Sequence, residues 1–176
     1  MAAINTLREL LVDELRDLHN AENQLIKALP KMAKAATHEE LKEGFTEHLE
    51  QTREHVDRLE RCFKILGEKV KGKTCHAMKG LVEEGQEAIE EEGPEAIRDA
   101  KLIGAAQRVE HYEIAAYGTA RAFAETLGED KIVGLLQETL DEEGETDKRL
   151  TALSETVNEE ANAVDQSKDD DEDDDR

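Results

Sequence analysis

Aromatic residues are scarce: two Tyr, three Phe and no Trp make up 3% of the chain. So few rings leave no stacking platform for single-stranded nucleic acid. Proline occurs twice, so little interrupts a long helix. Two cysteines, Cys62 and Cys75, are too few for a disulfide framework, and the Cys-His pair at 75–76 is too short for a zinc site. No run of about 18 apolar residues exists, which excludes a transmembrane helix. The opening residues, MAAINTLRELL, lack a basic stretch followed by an apolar one, so they do not read as a secretory leader, and a cytoplasmic protein is expected. There is no Gly-rich phosphate loop and no nucleophile elbow.

Positive charge is also in short supply. Against 44 Asp+Glu stand only 23 Lys+Arg, a net charge of −21. Residues 165–176 (DQSKDDDEDDDR) contribute −6 of this, and the remaining body carries −15. Such a body repels phosphates, so neither nucleic acid nor a membrane surface is an expected partner. It also repels itself unless counterions screen it. A halophile source would supply that screening; an ordinary acidic bacterial protein with an acidic tail is the other reading.

What the chain does have is periodicity. Hydrophobic residues are 38% of the total and recur at alternating steps of three and four, the spacing of helices that face a bundle core. The first long helix is expected from Asn5, as N-cap, to Ala36, with Pro30 kinking it. The second is expected from a Thr37–Glu40 capping box to Leu66, stopped by Gly67. A connection over 68–93 holds a short helix near Gly80–Glu92. The third helix starts with Pro94 in its first position and ends at Gly128. The fourth runs from Glu129 to Ala161. Two short links and one long one predict an all-α fold: a ferritin-like antiparallel four-helix bundle, with a long helix-containing crossover between helices 2 and 3. The bundle is expected over 1–162, with 163–176 a disordered acidic tail.

The two halves resemble repeats offset by 91 positions: Glu22 with Glu113, Leu11 with Leu102, Leu49 with Leu140, Thr52 with Glu143. More telling are charges inside apolar stripes. Glu22 stands between Leu18 and Leu25, Glu113 between Val109 and Ala116, and Glu143 and Asp147 between Leu140 and Leu150. Glu110 lies one turn before Glu113. Counted from the two hairpin turns, Glu22, Thr52, Glu113 and Glu143 fall at one height. His48 and His55 flank Thr52 on the inward side, whereas Glu50 points outward. His19, His38, His76 and His111 read as surface or packing residues.

Several carboxylates in one dry layer cannot all stay ionised; metal ions, protons or basic groups must enter. Carboxylate oxygen suits Mn²⁺ and Mg²⁺, and imidazole suits iron. The metal candidates are therefore Glu22, His48, His55, Glu110, Glu113, Glu143 and Asp147, with Fe or Mn as the cofactor. The other reading is a metal-free polar layer in which Glu22 and Glu113 pair with Arg108, Tyr112 or Tyr117.

The runs DELRDLHNAENQLIKALPKMAKAA, EHLEQTREHVDRLE, AQRVEHYEIAAYGT and LLQETLDEEGETDKRL resemble the YciE/YciF family of ferritin-like stress proteins, over about residues 4–160. The resemblance implies a rubrerythrin-like bundle, a homodimer and a place in stress responses, with no established activity. It likens Glu22 to the single first-helix ligand, Glu110 and Glu113 to the paired third-helix glutamates, and Glu143 to the bridging fourth-helix ligand. The second and fourth helices depart from it, because neither contains Glu-x-x-His. One metal, or an asymmetric pair, fits these residues better than a full di-iron set. A rubredoxin-like electron-transfer module is missing. Three functions compete: an Fe or Mn site reactive with peroxide or oxygen, a non-enzymatic helical dimer acting by its surface, and, last, an iron-storage shell. No catalytic residue can be named from the sequence.

Overall fold

The computed structural model describes residues 3–173, with side chains to 164. Five helices follow one another: α1 (Leu7–Ala35), α2 (Glu39–Leu66), α3 (His76–Ile89), α4 (Glu95–Thr126) and α5 (Asp130–Asp173). Among the described residues there is no strand. The expected all-α bundle is therefore the observed one: α1, α2, α4 and α5 are its four long helices, and α3 lies in the crossover.

Cross-bundle contacts fix the helix directions. Arg8, at the start of α1, donates to the Leu66 carbonyl at the end of α2 and lies 3.5 Å from Glu129 beyond the end of α4. At the opposite end, the α1–α2 turn meets the start of α4, where Thr37 and His38 donate to Asp99. Each hairpin is thus antiparallel within itself, and α1 and α4 run in opposite directions. The crossover must travel the length of the bundle. It is pinned on the way by Lys73 to Asp13, at 2.6 Å, and by the Cys75 amide to Asn20, at 2.8 Å.

The helix ends depart from expectation in instructive ways. Thr6, not Asn5, caps α1, in a capping box with Glu9. The helix then runs unbroken through Pro30. The Thr37–Glu40 box does not form. His38 is the N-cap of α2 and makes no side-chain capping bond. The cap comes instead from Asp99 of α4. Its buried carboxylate accepts from the Thr37 amide at 3.0 Å, the His38 amide at 2.7 Å and the Thr37 hydroxyl at 2.6 Å. A carboxylate also suits the positive end of the helix dipole. Gly67 and Gly128 take φ of 68° and 70°, as C-terminal stops require. α3 starts at His76, earlier than expected, because the Cys75 sulfur accepts from the Met78 amide. Pro94 sits one position outside α4, as its N-cap. α5 passes Ala161 and continues to Asp173. The side chains of the acidic tail from 165 onward lie outside the described residues.

The core divides in two. One cluster contains Leu11, Leu15, Leu18, Leu59, Phe63 and Leu136. The other contains Leu25, Leu29, Phe45, Leu102, Val109 and Leu150. On every long helix the break between them falls at the same level, and there the buried polar residues lie. Truncating a wholly buried leucine such as Leu15 is expected to cost about 2–5 kcal/mol.

Candidate metal centre

The layer between the two clusters is built from all four long helices. α1 supplies Glu22, α2 supplies His48, Thr52 and His55, α4 supplies Glu110 and Glu113, and α5 supplies Thr139 and Glu143; all are buried. They reach inward because each occupies a core position in its helix's three-and-four stripe. Six of the seven residues expected from the sequence meet here. The seventh, Asp147, does not join them: it is partly exposed at the rim, 3.3 Å from His111 and within reach of Gln107. One turn beyond Glu143, the helix has already rotated it toward the surface.

The donor atoms form two overlapping groups. His48, Glu110, Glu113 and Glu143 can each present one atom within 4.8 Å of the others, and Glu22, His55 and Glu143 do the same. Glu143 belongs to both. His48 Nε2 lies 3.3 Å from Glu110 and 3.9 Å from Glu143. His55 Nδ1 lies 3.4 Å from Glu22 and 3.1 Å from Glu143. Thr52, level with them, turns its hydroxyl back to the His48 carbonyl at 2.7 Å and offers no ligand.

Eight atoms of this layer are buried without a hydrogen-bond partner: one each from Glu22, His48, His55 and Glu110, and both carboxylate oxygens of Glu113 and Glu143. Buried polar groups are rarely left so. Burial, followed by the charge on Glu143, pushes the Glu110 and Glu113 carboxyls well above the ordinary range. Glu143 is held low in spite of its burial, because His55 and His48 face it. Burial alone would drive His55 down, but Glu143 and Glu22 outweigh it and raise it to about 11. Without a metal, protons on His55 and on the carboxyls hold the layer together. Two imidazoles and four carboxylates form the mixed N/O donor set that iron and manganese accept, and two divalent ions would balance the four negative charges. The residues fit such a pair.

A second ring supports the first. His55 Nε2 lies 2.8 Å from Glu142, which also takes two bonds from the buried Arg58, at 2.5 and 2.8 Å. Arg58 donates to Thr139 as well, at 3.2 Å. This carboxylate–imidazole pairing turns Nδ1 of His55 toward the layer, the device by which metal-binding histidines are oriented. Tyr117, wholly buried, donates its hydroxyl to Glu22. Arg58 and Glu142 escaped the sequence reading. The available signal was Arg58 three residues after His55, which places it on the same inward face.

The expected polar-layer partners are mostly elsewhere. Arg108 pairs with Glu84 on the surface at 3.4 Å. Tyr112 donates to Asp17 at 2.9 Å and touches the Cys75 sulfur at 3.0 Å. Cys75 is buried, and its thiol is pushed up by burial and by Asp17. Cys62 is a core residue whose thiol burial pushes up to about 12.

A family model described as "Domain of unknown function (DUF892)" matches residues 6–162. Protein YciF of Escherichia coli is 44% identical over 152 residues, covering 86% of this chain and 92% of that protein. The crystal structure of the E. coli stress protein YciF superposes with a TM-score of 0.85 at 43% identity, over 88% of this chain and 98% of that one. YcfI from Rhodopseudomonas palustris gives 0.82 at 45% identity, over 84% and 94% of the two chains. A Xanthomonas campestris protein shares the fold, with a TM-score of 0.74 at 22% identity over 92% and 99%.

Proposed function

The chain belongs to the DUF892 family, and from that premise we propose that its buried layer holds a pair of divalent redox metals, iron or manganese, used against a small oxidant such as peroxide or dioxygen during stress. The observation that carries this reading is the convergence of eight unpartnered buried ligand atoms from six side chains on four helices. A metal-free polar layer would explain the Tyr117–Glu22 bond. It would leave both oxygens of Glu113 without a partner.

On this reading His48, Glu110 and Glu113 hold one ion, Glu22 and His55 hold the other, and Glu143 is shared between them. The metals would supply electrons at an oxygen-rich centre. The protein's own groups do the rest. Glu142 and Arg58 fix the His55 ring, Tyr117 orients Glu22, and apolar clusters flank the layer on either side. α2 supplies two histidines without a Glu-x-x-His, His48 and His55, one turn to either side of Thr52.

The test is anaerobic titration of chelator-treated protein with Fe²⁺ or Mn²⁺, followed by calorimetry and elemental analysis. Retention of about two ions per chain is expected. Failure to retain any, with the protein folded, removes the proposal. The homodimer implied by the family is part of the same proposal, and light scattering on the full chain tests it.

A further inference from the structure

A cavity of about 100 Å³ lies between α1, α2, α4 and α5 and ends on the polar layer. Its walls include Leu25, Leu29, Phe45, Val109 and Leu150; its floor is His48 and Glu110. Toward solvent it is bordered by Glu40, Gln51 and Arg149. Gly44 forms part of the wall, inside α2. A glycine there costs the helix about 1 kcal/mol relative to alanine. No backbone reason requires it: its φ is not positive, and an added Cβ would meet nothing within 4 Å. What the glycine does is leave the wall without a side chain.

The chemistry of the lining selects its occupant. The lining is mostly apolar but opens to solvent between Glu40, Gln51 and Arg149; cavities walled by leucine and phenylalanine accept benzene or xenon. An anion is disfavoured at both ends. Glu40 borders the entrance, Glu110 is at the floor beside His48, and the one arginine of the lining, Arg149, is engaged by Glu47 at 2.7 Å. We propose that this cavity binds a small, neutral, apolar organic molecule of benzene size or less, with one edge against His48 and Glu110. The apolar walls supply the binding, so the proposal does not rest on the metal reading.

The test uses chelator-treated, full-length protein with benzene and benzoate as probes, read by methyl-resolved NMR. Benzene is expected to give saturable shifts confined to Leu25, Leu29, Val109 and Leu150. Benzoate is expected to give none. Ala106, another wall residue, is the place to fill: Ala106→Leu should weaken benzene binding about tenfold or more. Gly44→Leu is a second filling variant, should the first disturb the fold. Crystals under xenon should show the gas between Phe45 and Val109. Absence of saturable benzene shifts overturns the proposal, even if xenon enters. So do equal binding of benzoate, and benzene binding that neither filling variant changes. No metal is present in the assay, so a protein that never holds metal leaves its outcome intact.

Discussion

Glu113 is wholly buried, and neither of its carboxylate oxygens has a hydrogen-bond partner. In the metal-free protein it is a liability, because burial and three neighbouring carboxylates oppose its charge. Glu113→Gln keeps the shape and removes the charge. It should therefore leave the metal-free protein at least as stable, with the advantage growing as pH rises toward the shifted carboxyl values, and abolish the stabilisation that Fe²⁺ or Mn²⁺ gives the native chain. Thermal melts of both proteins with and without metal check this; a loss of stability in both states would make Glu113 a packing residue. Glu142 reaches the layer through His55. Glu142→Gln should weaken metal affinity by about 10–100-fold while leaving stoichiometry unchanged, as read by competition with a coloured chelator. Inward-facing acids and histidines were legible in the sequence because burial of a charge is visible as a break in an apolar stripe. Asp147 looked the same in one dimension, but helical rotation places it at the rim. Arg58 offered a local signal, three residues after His55, but its pairing with Glu142 joins positions 84 apart and no local pattern contains it.

At the scale of the helix, the long elements followed from periodicity, and their ends did not. Capping boxes are local patterns, and Thr37–Glu40 is a good one on paper. Asp99 displaces it by delivering a carboxylate from α4 to the Thr37 and His38 amides, a contact across 62 positions that no local pattern contains. Asp99 therefore does two things: it starts α2 and ties the two hairpins together. Asp99→Ala should cost about 1–3 kcal/mol, since two backbone amides lose a buried acceptor. Hydrogen exchange should quicken first in residues 37–42. Unchanged protection there would show that the cap is dispensable. The end of α5 could not be read from periodicity: the apolar stripe stops near Ala161, whereas the helix extends to Asp173.

For the whole molecule, the layer makes stability depend on pH in opposite senses with and without metal. Glu110 and Glu113 are raised, so the stability they lend is present below about 4.5 and is lost as pH climbs through their shifted values. His55, raised from 6.5 to about 11, likewise loses its contribution between those limits as pH rises. Glu142 and Glu143 are lowered, so their contribution is present above 4.5 and fails only in acid. The metal-free melting temperature should therefore fall from pH 6 to pH 9. Metal must displace these protons, so the stabilisation it gives should grow over the same range. A flat metal-free profile would mean that the layer carries no shifted groups. With a net charge of −21, the fold should also gain stability from low to molar KCl, as the Debye length contracts from about 10 Å at 0.1 M to about 3 Å at 1 M; circular dichroism melts read this directly. The central claim is that the interruption of the core is a metal centre. Crystals of protein purified without chelator, soaked anaerobically in Fe²⁺ and measured at the iron absorption edge, test it most directly. Anomalous density within ligand distance of Glu143, flanked by His48 and Glu113 on one side and by His55 and Glu22 on the other, is the result this account predicts. An ordered layer with no anomalous density among those side chains would contradict it.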